Sequence, residues 1–171
     1  GQLDEISIQA EKMKEIRLKS VEGTVIFEGK KTEIVDLTNI QANTATNNGR
    51  QIFNRIAGLN VWENDAAGMQ LGIGARGLNP NRYAEFNIRQ NGYDITADAL
   101  GYPDAYFTPP TEGLDRIEIV RGAASLQFGT QFGGLINFKT HQPINKKFQI
   151  TSQLTGGSFA TVSAFNAIEG T

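Results

Sequence analysis

The sequence predicts an α+β fold, with a small mixed β-sheet and short helices followed by two antiparallel strands. Three observations lead to this prediction. Short apolar segments of strand type recur along the chain, only one segment has helical periodicity, and two segments of roughly ten residues alternate at the C-terminal end. The length of 171 residues is enough for one compact domain and not comfortably for two.

The strand candidates share short apolar runs bounded by turn-forming residues, and they occupy residues 24–27, 32–36, 59–62, 70–75, 86–90, 116–120 and 135–139. Asn91-Gly92 is the strongest hairpin-turn signal in the chain. Residues 96–112 form a long loop with three of the five prolines. Such a loop in a compact domain is usually functional or disordered, and its aromatic residues Tyr102, Tyr106 and Phe107 favour a role in contacts.

One helix is predicted over residues 49–58. Ile52, Phe53 and Ile56 share a helical face, a preceding asparagine can cap the first turn, and Gly58 suits the left-handed position at the end. The expected length is about two to three turns.

The C-terminal region alternates between apolar and polar residues. Phe148, Ile150 and Leu154 lie among polar residues, a Gly156-Gly157-Ser158 turn follows, and residues 159–168 form a second extended segment. The pattern is typical of membrane β-barrel strands and equally of an ordinary amphipathic hairpin. A barrel needs at least about eight strands, so the first interpretation makes this chain the front end of a longer polypeptide.

The N-terminal region, residues 4–31, mixes six acidic with six basic residues and is expected to be solvated. Within it Ile6, Ile8 and Ala10 alternate with polar residues, which is typical of a half-buried strand. An isolated strand is not stable in water, so this segment is either a free edge or a segment that awaits a partner.

The composition argues against several function classes. A net charge of −2 argues against a nucleic-acid-binding protein, which would show a basic excess. With no cysteine and a single histidine, His141, the chain has no thiolate nucleophile, no cysteine-based zinc site and no two-histidine mechanism. Ser125 is not in a nucleophile elbow, and the spacing of the loop carboxylates places no two of them on one face. We therefore expect no enzyme.

Residues 72–77 match the pattern G-x-G-x-x-G. Dinucleotide binding requires a helix that begins at these glycines, but Asn79-Pro80 follows and is typical of a turn. We interpret the glycines as allowing this strand and its turn to pack closely against other backbone.

Arg76 and Arg121 each precede a glycine at the end of an apolar strand. A guanidinium group at such a corner is well placed for a bidentate pair with a carboxylate. We predict structural ion pairs for both, the alternative being two solvated side chains.

Five elements occur in order along the middle of the chain. They are residues 55–61, residues 74–78, Asn91-Gly92, residues 118–129, and residues 133–140 with the Gly-Gly-x-Ile-Asn pattern. Together they resemble the plug domain of TonB-dependent outer-membrane receptors, in which a proline is usual at the position of Ala57. Within that family, residues 77–80 look most like receptors of the ferric citrate type.

The resemblance implies a tether at residues 1–20, a plug at residues 21–143 and the first hairpin of an outer-membrane barrel at residues 146–171. It implies active import of a chelated iron compound, of ferric citrate or siderophore type, with the N-terminus facing the periplasm. The partner TonB would pull on a TonB-box-like segment, residues 3–10, which includes Asp4, Glu5, Ile6, Ser7, Ile8, Gln9 and Ala10.

The resemblance also places two plug loops on the outward side, residues 79–83 and 96–112. It implies ligand contacts from Arg82, Tyr83, Tyr102 and Tyr106, since arginine and tyrosine can bind an anionic iron chelate. No cofactor is expected, because the iron would arrive already chelated. The aromatic side chains could instead pack the loop. Two other functions stay open: a glycan or peptide importer that works with a surface lipoprotein, and a freestanding binding module.

Overall fold

The computed structural model describes residues 18–22, 25–27, 32–38, 40–97, 100, 102–129, 131–142 and 146–170. The TonB-box-like segment at residues 3–10 lies outside the described residues. The strands and the α-helix of the described chain are β1 (Val21–Glu22), β2 (Val25–Ile26), β3 (Thr32–Asp36), α1 (Gly49–Ile52), β4 (Leu59–Glu63), β5 (Leu71–Ala75), β6 (Phe86–Gln90), β7 (Tyr93–Asp94), β8 (Leu114–Val120), β9 (Gly134–Thr140), β10 (Gln149–Gly156) and β11 (Val162–Glu169). Short 3₁₀ helices span Asn81–Tyr83, Thr111–Gly113 and Gly122–Phe128.

The central element is a five-stranded mixed sheet with the strand order β3-β8-β9-β6-β7. Strands β6 and β9 are parallel, with Phe86 opposite Gly134, and the other neighbouring strands are antiparallel. The predicted mixed sheet is therefore confirmed, and β3 and β6 have the predicted bounds. Two-stranded sheets are formed by β1 with β2, β4 with β5, and β10 with β11.

The main core covers one face of the central sheet. The side chains of Ile117, Ile119, Ile136 and Phe138 are fully buried there, together with Phe86 from β6. Burial of each such side chain contributes about 1.5–3 kcal/mol to folding relative to its exposure to water. The central sheet is therefore stabilised mainly by apolar side chains from its three inner strands.

The predicted helix is shorter than expected. Helix α1 is a single turn, in which the side chain of Asn48 accepts a hydrogen bond from the amide of Gln51. The amide of Ile56 then donates to the carbonyl of Phe53 at 3.0 Å, an i→i−3 bond that ends the α-helical ladder. Ile52, Phe53 and Ile56 are nevertheless all buried. Within the described chain, no helix combines the length and apolarity needed to cross a membrane.

Both predicted hairpins are present. Asn91 and Gly92 join β6 to β7 with φ values of 51° and 86°, as a type I′ turn requires. The C-terminal hairpin pairs β10 with β11 from Gln149 opposite Glu169 to Gly156 opposite Val162. Its second strand begins at Val162 rather than at residue 159, because residues 159 and 160 both adopt φ of 57° in the turn.

The first two glycines of the G-x-G-x-x-G pattern, Gly72 and Gly74, lie in β5, where the returning chain crosses over them. A Cβ atom on Gly72 would collide with the carbonyl oxygen of Pro80, and one on Gly74 would collide with that of Leu78. The interpretation of close backbone packing is confirmed for Gly72 and Gly74, whereas Gly77 has nothing within 4 Å of a Cβ position and adopts φ of 80° in the turn. This crossing brings residues 79–83 back across the β4–β5 sheet.

Candidate functional site

Arg82 and Tyr106 meet at the surface, where the turn after β5 faces the long loop. The guanidinium carbon of Arg82 lies 4.9 Å from the centre of the Tyr106 ring, and its Nη1 lies 3.5 Å from the Tyr106 hydroxyl oxygen. Asp104 completes the group, with its Oδ2 atom 3.9 Å from Arg82 Nη1 and 3.4 Å from the Tyr106 hydroxyl. We call these three residues the Arg82 cluster. Its arginine and tyrosine remain substantially exposed, at 42% for each.

The backbone at Arg82 explains why neighbouring side chains take opposite directions. Arg82 and Tyr83 have φ values of 48° and 58°, and a left-handed conformation of a residue other than glycine costs about 1–3 kcal/mol. The turn begins where the side chain of Asn79 accepts a hydrogen bond from the amide of Asn81 at 3.0 Å. This conformation leaves Arg82 at the surface and buries Tyr83 completely.

Tyr83 is placed differently from the expectation that it contacts a ligand. Its side chain is fully buried, and its hydroxyl oxygen lies 2.9 Å from Oγ1 of Thr108. Burial raises the pKa of the phenol, so the group stays protonated. Tyr83 is therefore a core residue beneath the Arg82 cluster, and a ligand at the surface cannot reach it.

Tyr102 lies in the same loop as Tyr106, and its side chain is 56% exposed. The amide of Tyr102 donates to the carbonyl of Ala97 at 3.3 Å, which closes a turn within the loop. Among the described residues, its side chain makes no hydrogen bond or ring contact with the Arg82 cluster. The structure thus brings together two of the four expected ligand contacts, Arg82 and Tyr106.

The two strand-end arginines differ. Arg121 pairs through Nη2 with Oε2 of Glu33 and donates through Nη1 to the carbonyl of Ala57 at 3.2 Å, and its side chain is only 11% exposed. Arg76 is exposed with a φ of 53°, and the described part of the chain provides no ion-pair partner for it. The expected parallel between the two sites is therefore absent within the described residues: Arg121 contacts Glu33 and Ala57, whereas Arg76 is exposed.

A buried carboxylate on the second face of the central sheet was not anticipated. Glu118 lies between Ile117 and Ile119 in β8, with only 1% of its surface exposed. It accepts hydrogen bonds from Arg116 Nε and from Asn137 Nδ2, both at 2.8 Å. The sequence signal was an acidic residue inside an apolar strand. Because both of its oxygens accept hydrogen bonds from neighbouring side chains, Glu118 is a structural group.

The remaining polar candidates have structural contacts. Ser125 donates to the carbonyl of Gly122 at 2.7 Å. His141 lies 2.5 Å from Asp115 through Nδ1 and 3.1 Å from the carbonyl of Glu112 through Nε2. Burial raises the pKa of the Glu112 carboxyl. In the described ranges, no three potential metal ligands are grouped together.

Comparison with known proteins identifies relatives of this arrangement. A family model described as the TonB-dependent Receptor Plug Domain matches residues 28–135, more than half of the chain. The unliganded ferric citrate transporter FecA matches 72% of this chain at 28% identity, with a TM-score of 0.57 over 19% of its own length.

Two further solved structures show the same fold. The ferric enterobactin receptor PfeA of Pseudomonas aeruginosa in complex with BCV-L6 matches 74% of this chain at 20% identity, with a TM-score of 0.54 over 20% of its own length. The siderophore receptor PirA from the same organism matches 74% at 20% identity, with a TM-score of 0.52 over 21% of its length. The chain thus spans about one fifth of the length of the solved structures that it matches.

Proposed function

Because the chain belongs to the family of TonB-dependent receptor plug domains, we propose that it is the gate of an outer-membrane importer for a chelated iron compound. Plug domains are parts of transport receptors, so the prediction that the chain is not an enzyme is confirmed by this membership. Ferric citrate is the favoured cargo, since the ferric citrate transporter is similar at 28% identity and the other two at 20%.

The observation that carries this proposal is the chemistry of the Arg82 cluster. A guanidinium group has five N–H donors, and the contacts of Arg82 with Asp104 and Tyr106 involve only Nη1. Its Nε and Nη2 atoms make no hydrogen bond among the described residues. They are therefore available to an anionic chelate, for which charge-assisted hydrogen bonds are strong. The hydroxyl of Tyr106 adds a neutral polar group beside the charge.

The C-terminal hairpin supports a place in the outer membrane. Its partly buried residues all lie on one face, and Phe165 on that face approaches Gly113 to within 3.9 Å of a Cβ position. The opposite face carries the exposed apolar side chains of Ile150, Leu154, Val162 and Ile168. An apolar face directed away from the plug is what a strand pair at a lipid boundary needs. We propose residues 146–171 as the start of the barrel, residues 21–143 as the plug and residues 1–20 as the tether.

Binding of ferric citrate to the full-length receptor tests the cargo. Arg82→Ala should weaken binding by at least about tenfold, because a hydrogen bond to a charged group is lost. Arg50→Ala is the matched control, since Arg50 is an exposed arginine that pairs with Glu63 at 3.7 Å instead. Binding that Arg82→Ala leaves intact would contradict the proposal. So would a wild-type receptor that takes up a glycan or a peptide and no iron chelate.

The proposed role of TonB requires a separate test. A receptor that lacks residues 3–10 should bind ferric citrate as the wild type does and fail to import it, because the strand that pairs with TonB is absent. Uptake of radioactive iron by intact cells measures import, and binding to the same cells measures surface receptor. Normal uptake by the deletion variant would remove residues 3–10 from the mechanism.

A further inference from the structure

We propose that Tyr83 and Thr108 are positioning residues, which set the shape of the Arg82 cluster through a buried hydrogen bond beneath it. The inference rests on the proposed function, since it concerns the same ligand site. It assigns a role to Tyr83, whose side chain is too deeply buried to contact a ligand. The contact that carries it is the 2.9 Å distance between the Tyr83 hydroxyl and Thr108 Oγ1, both in fully or almost fully buried side chains.

The loop opposite Arg82 is fixed at two backbone points. The amide of Ala105 donates to the carbonyl of Arg82 at 2.9 Å, and the amide of Thr108 donates to the carbonyl of Met69 at 3.0 Å. Ala105 and Thr108 are both buried, whereas Tyr106 and Phe107 between them are exposed at 42% and 48%. The two fixed points therefore hold the backbone that presents Tyr106 to Arg82.

The hydroxyl of Thr108 joins three segments of the chain. Its Oγ1 atom accepts a hydrogen bond from the amide of Leu71 in β5 at 3.3 Å and bonds to the Tyr83 hydroxyl. Thr108 itself belongs to the long loop, and its side chain is 3% exposed. A buried polar group that loses its partner costs free energy, so these groups favour one arrangement of strand, turn and loop.

The hydrogen bond also holds the strained turn in place. Since Arg82 and Tyr83 both have positive φ, relaxation of the turn would rotate the carbonyl of Arg82 away from Ala105. The far end of the loop is fixed independently, because the side-chain oxygen of Asn47 accepts from the amide of Thr111 at 3.1 Å. Release of Tyr83 should therefore loosen the loop near Arg82 and leave the end at Thr111 in place.

The test compares variants of the full-length receptor with ferric citrate as the probe. Tyr83→Phe and Thr108→Val each remove one hydroxyl and nearly preserve shape, and each should weaken binding roughly three- to tenfold. The double variant should bind no more weakly than Thr108→Val alone, because Thr108→Val already removes the bond that Tyr83→Phe removes, together with the bond from the Leu71 amide. Thr108→Ser keeps the hydroxyl and should bind as the wild type does. Ser125→Ala removes a buried hydroxyl bond elsewhere and should not change the affinity.

Hydrogen exchange in the same receptors supplies a second measurement that needs no ligand. Tyr83→Phe and Thr108→Val should speed exchange of the Ala105 and Thr108 amides by roughly three- to tenfold and leave the Thr111 amide unchanged. Unchanged exchange at Ala105 and Thr108 in both variants would overturn the inference, as would equal losses of affinity in Ser125→Ala.

The binding and exchange measurements together distinguish a failure of the positioning role from a failure of the proposed cargo. A wild type that binds ferric citrate, with a defect in Arg82→Ala and none in Tyr83→Phe or Thr108→Val, refutes the positioning role alone. A wild type that does not bind ferric citrate refutes the proposed cargo. In that case the exchange rates at Ala105 and Thr108 still decide whether the buried bond orders the loop.

Discussion

The central sheet and the C-terminal hairpin both consist of strands with alternating apolar residues, but these residues are buried in the sheet and exposed in the hairpin. Ile119 and Ile136 in β8 and β9 are completely buried, whereas Leu154 and Ile168 in β10 and β11 are 78% and 73% exposed. No described residue of the hairpin strands is buried. Alternation therefore identifies a strand but does not identify what covers its apolar face. The apolar face of the sheet is covered by the rest of the plug, and we propose that the apolar face of the hairpin is covered by lipid.

The largest difference between the two regions is expected for a glycine substitution. Gly134→Ala places a Cβ atom against the carbonyl oxygen of Val120 at a φ of 119°, so we expect a loss of about 4 kcal/mol or more in the stability of β9. Gly156→Ala in β10 meets nothing within 4 Å and should change stability by less than about 0.5 kcal/mol. Hydrogen exchange of the strand amides in the full receptor measures both. Equal effects would mean that β9 is not packed as described.

Truncation of an apolar side chain should show the next largest contrast. Ile136→Ala leaves a cavity in the core and should cost about 2–5 kcal/mol, measured as the opening free energy of β8 and β9 amides. Leu154→Ala removes a side chain that the plug does not cover, so the sheet should keep its wild-type opening free energy. A loss of sheet stability in Leu154→Ala would place that side chain in the plug core.

The proposed lipid face can be tested with a charge. Leu154→Arg should cost about 2–4 kcal/mol if the side chain lies near the middle of the bilayer. Gln153→Arg, one residue away on the opposite face, is the matched control and should assemble normally. The folded fraction of the full-length receptor in lipid vesicles, titrated with urea, gives the difference. Equal behaviour of the two variants would remove the distinction between the faces.

The smallest effect concerns pH and the β6–β7 hairpin. Partial burial alone would raise the pKa of Asp94, but hydrogen bonds from Thr96 and Asn87 and the charge of Arg89 outweigh it and lower the pKa. A carboxyl group with a lowered pKa contributes stability above its ordinary pKa of about 3.9, and this contribution is lost as the pH falls through the lowered value. Exchange of the β6 and β7 amides, corrected for intrinsic rates, should therefore accelerate in acid. Asp94→Asn should abolish this dependence, and an unchanged acid response in that variant would assign the effect to another group.

Much of the fold was predictable because it depends on local chemistry. The bounds of β3 and β6 follow from short apolar runs, and the Asn91-Gly92 turn follows from the positive φ that its two positions require. The close backbone packing at β5 was predictable because Gly72 and Gly74 have no side chain and Pro80 indicates a turn after the strand. The helix was overestimated because Ile52, Phe53 and Ile56 reach the core equally well from a single helical turn and a tighter turn after it.

The site was less predictable, because it depends on contacts between distant residues. The ion pair of Arg121 is formed with Glu33, 88 residues away, so the sequence could indicate the arginine but not its partner. The direction of the Tyr83 side chain depends on two consecutive residues in the left-handed conformation, which no local sequence pattern predicts. Thr108 is an ordinary loop threonine in the sequence. Its importance comes only from Tyr83 and Leu71, which the fold brings to it.

Strand β3 lies at the edge of the central sheet and pairs with one strand only, β8, with Thr32 opposite Val120 and Asp36 opposite Arg116. A force on the preceding chain that pulls away from the sheet meets these bonds one after another, beginning at Thr32. An edge strand whose hydrogen bonds break one at a time resists less force than β8 and β9, which each have a neighbouring strand on both sides. Under such a force we expect β3 to separate from the sheet before β8 and β9 do.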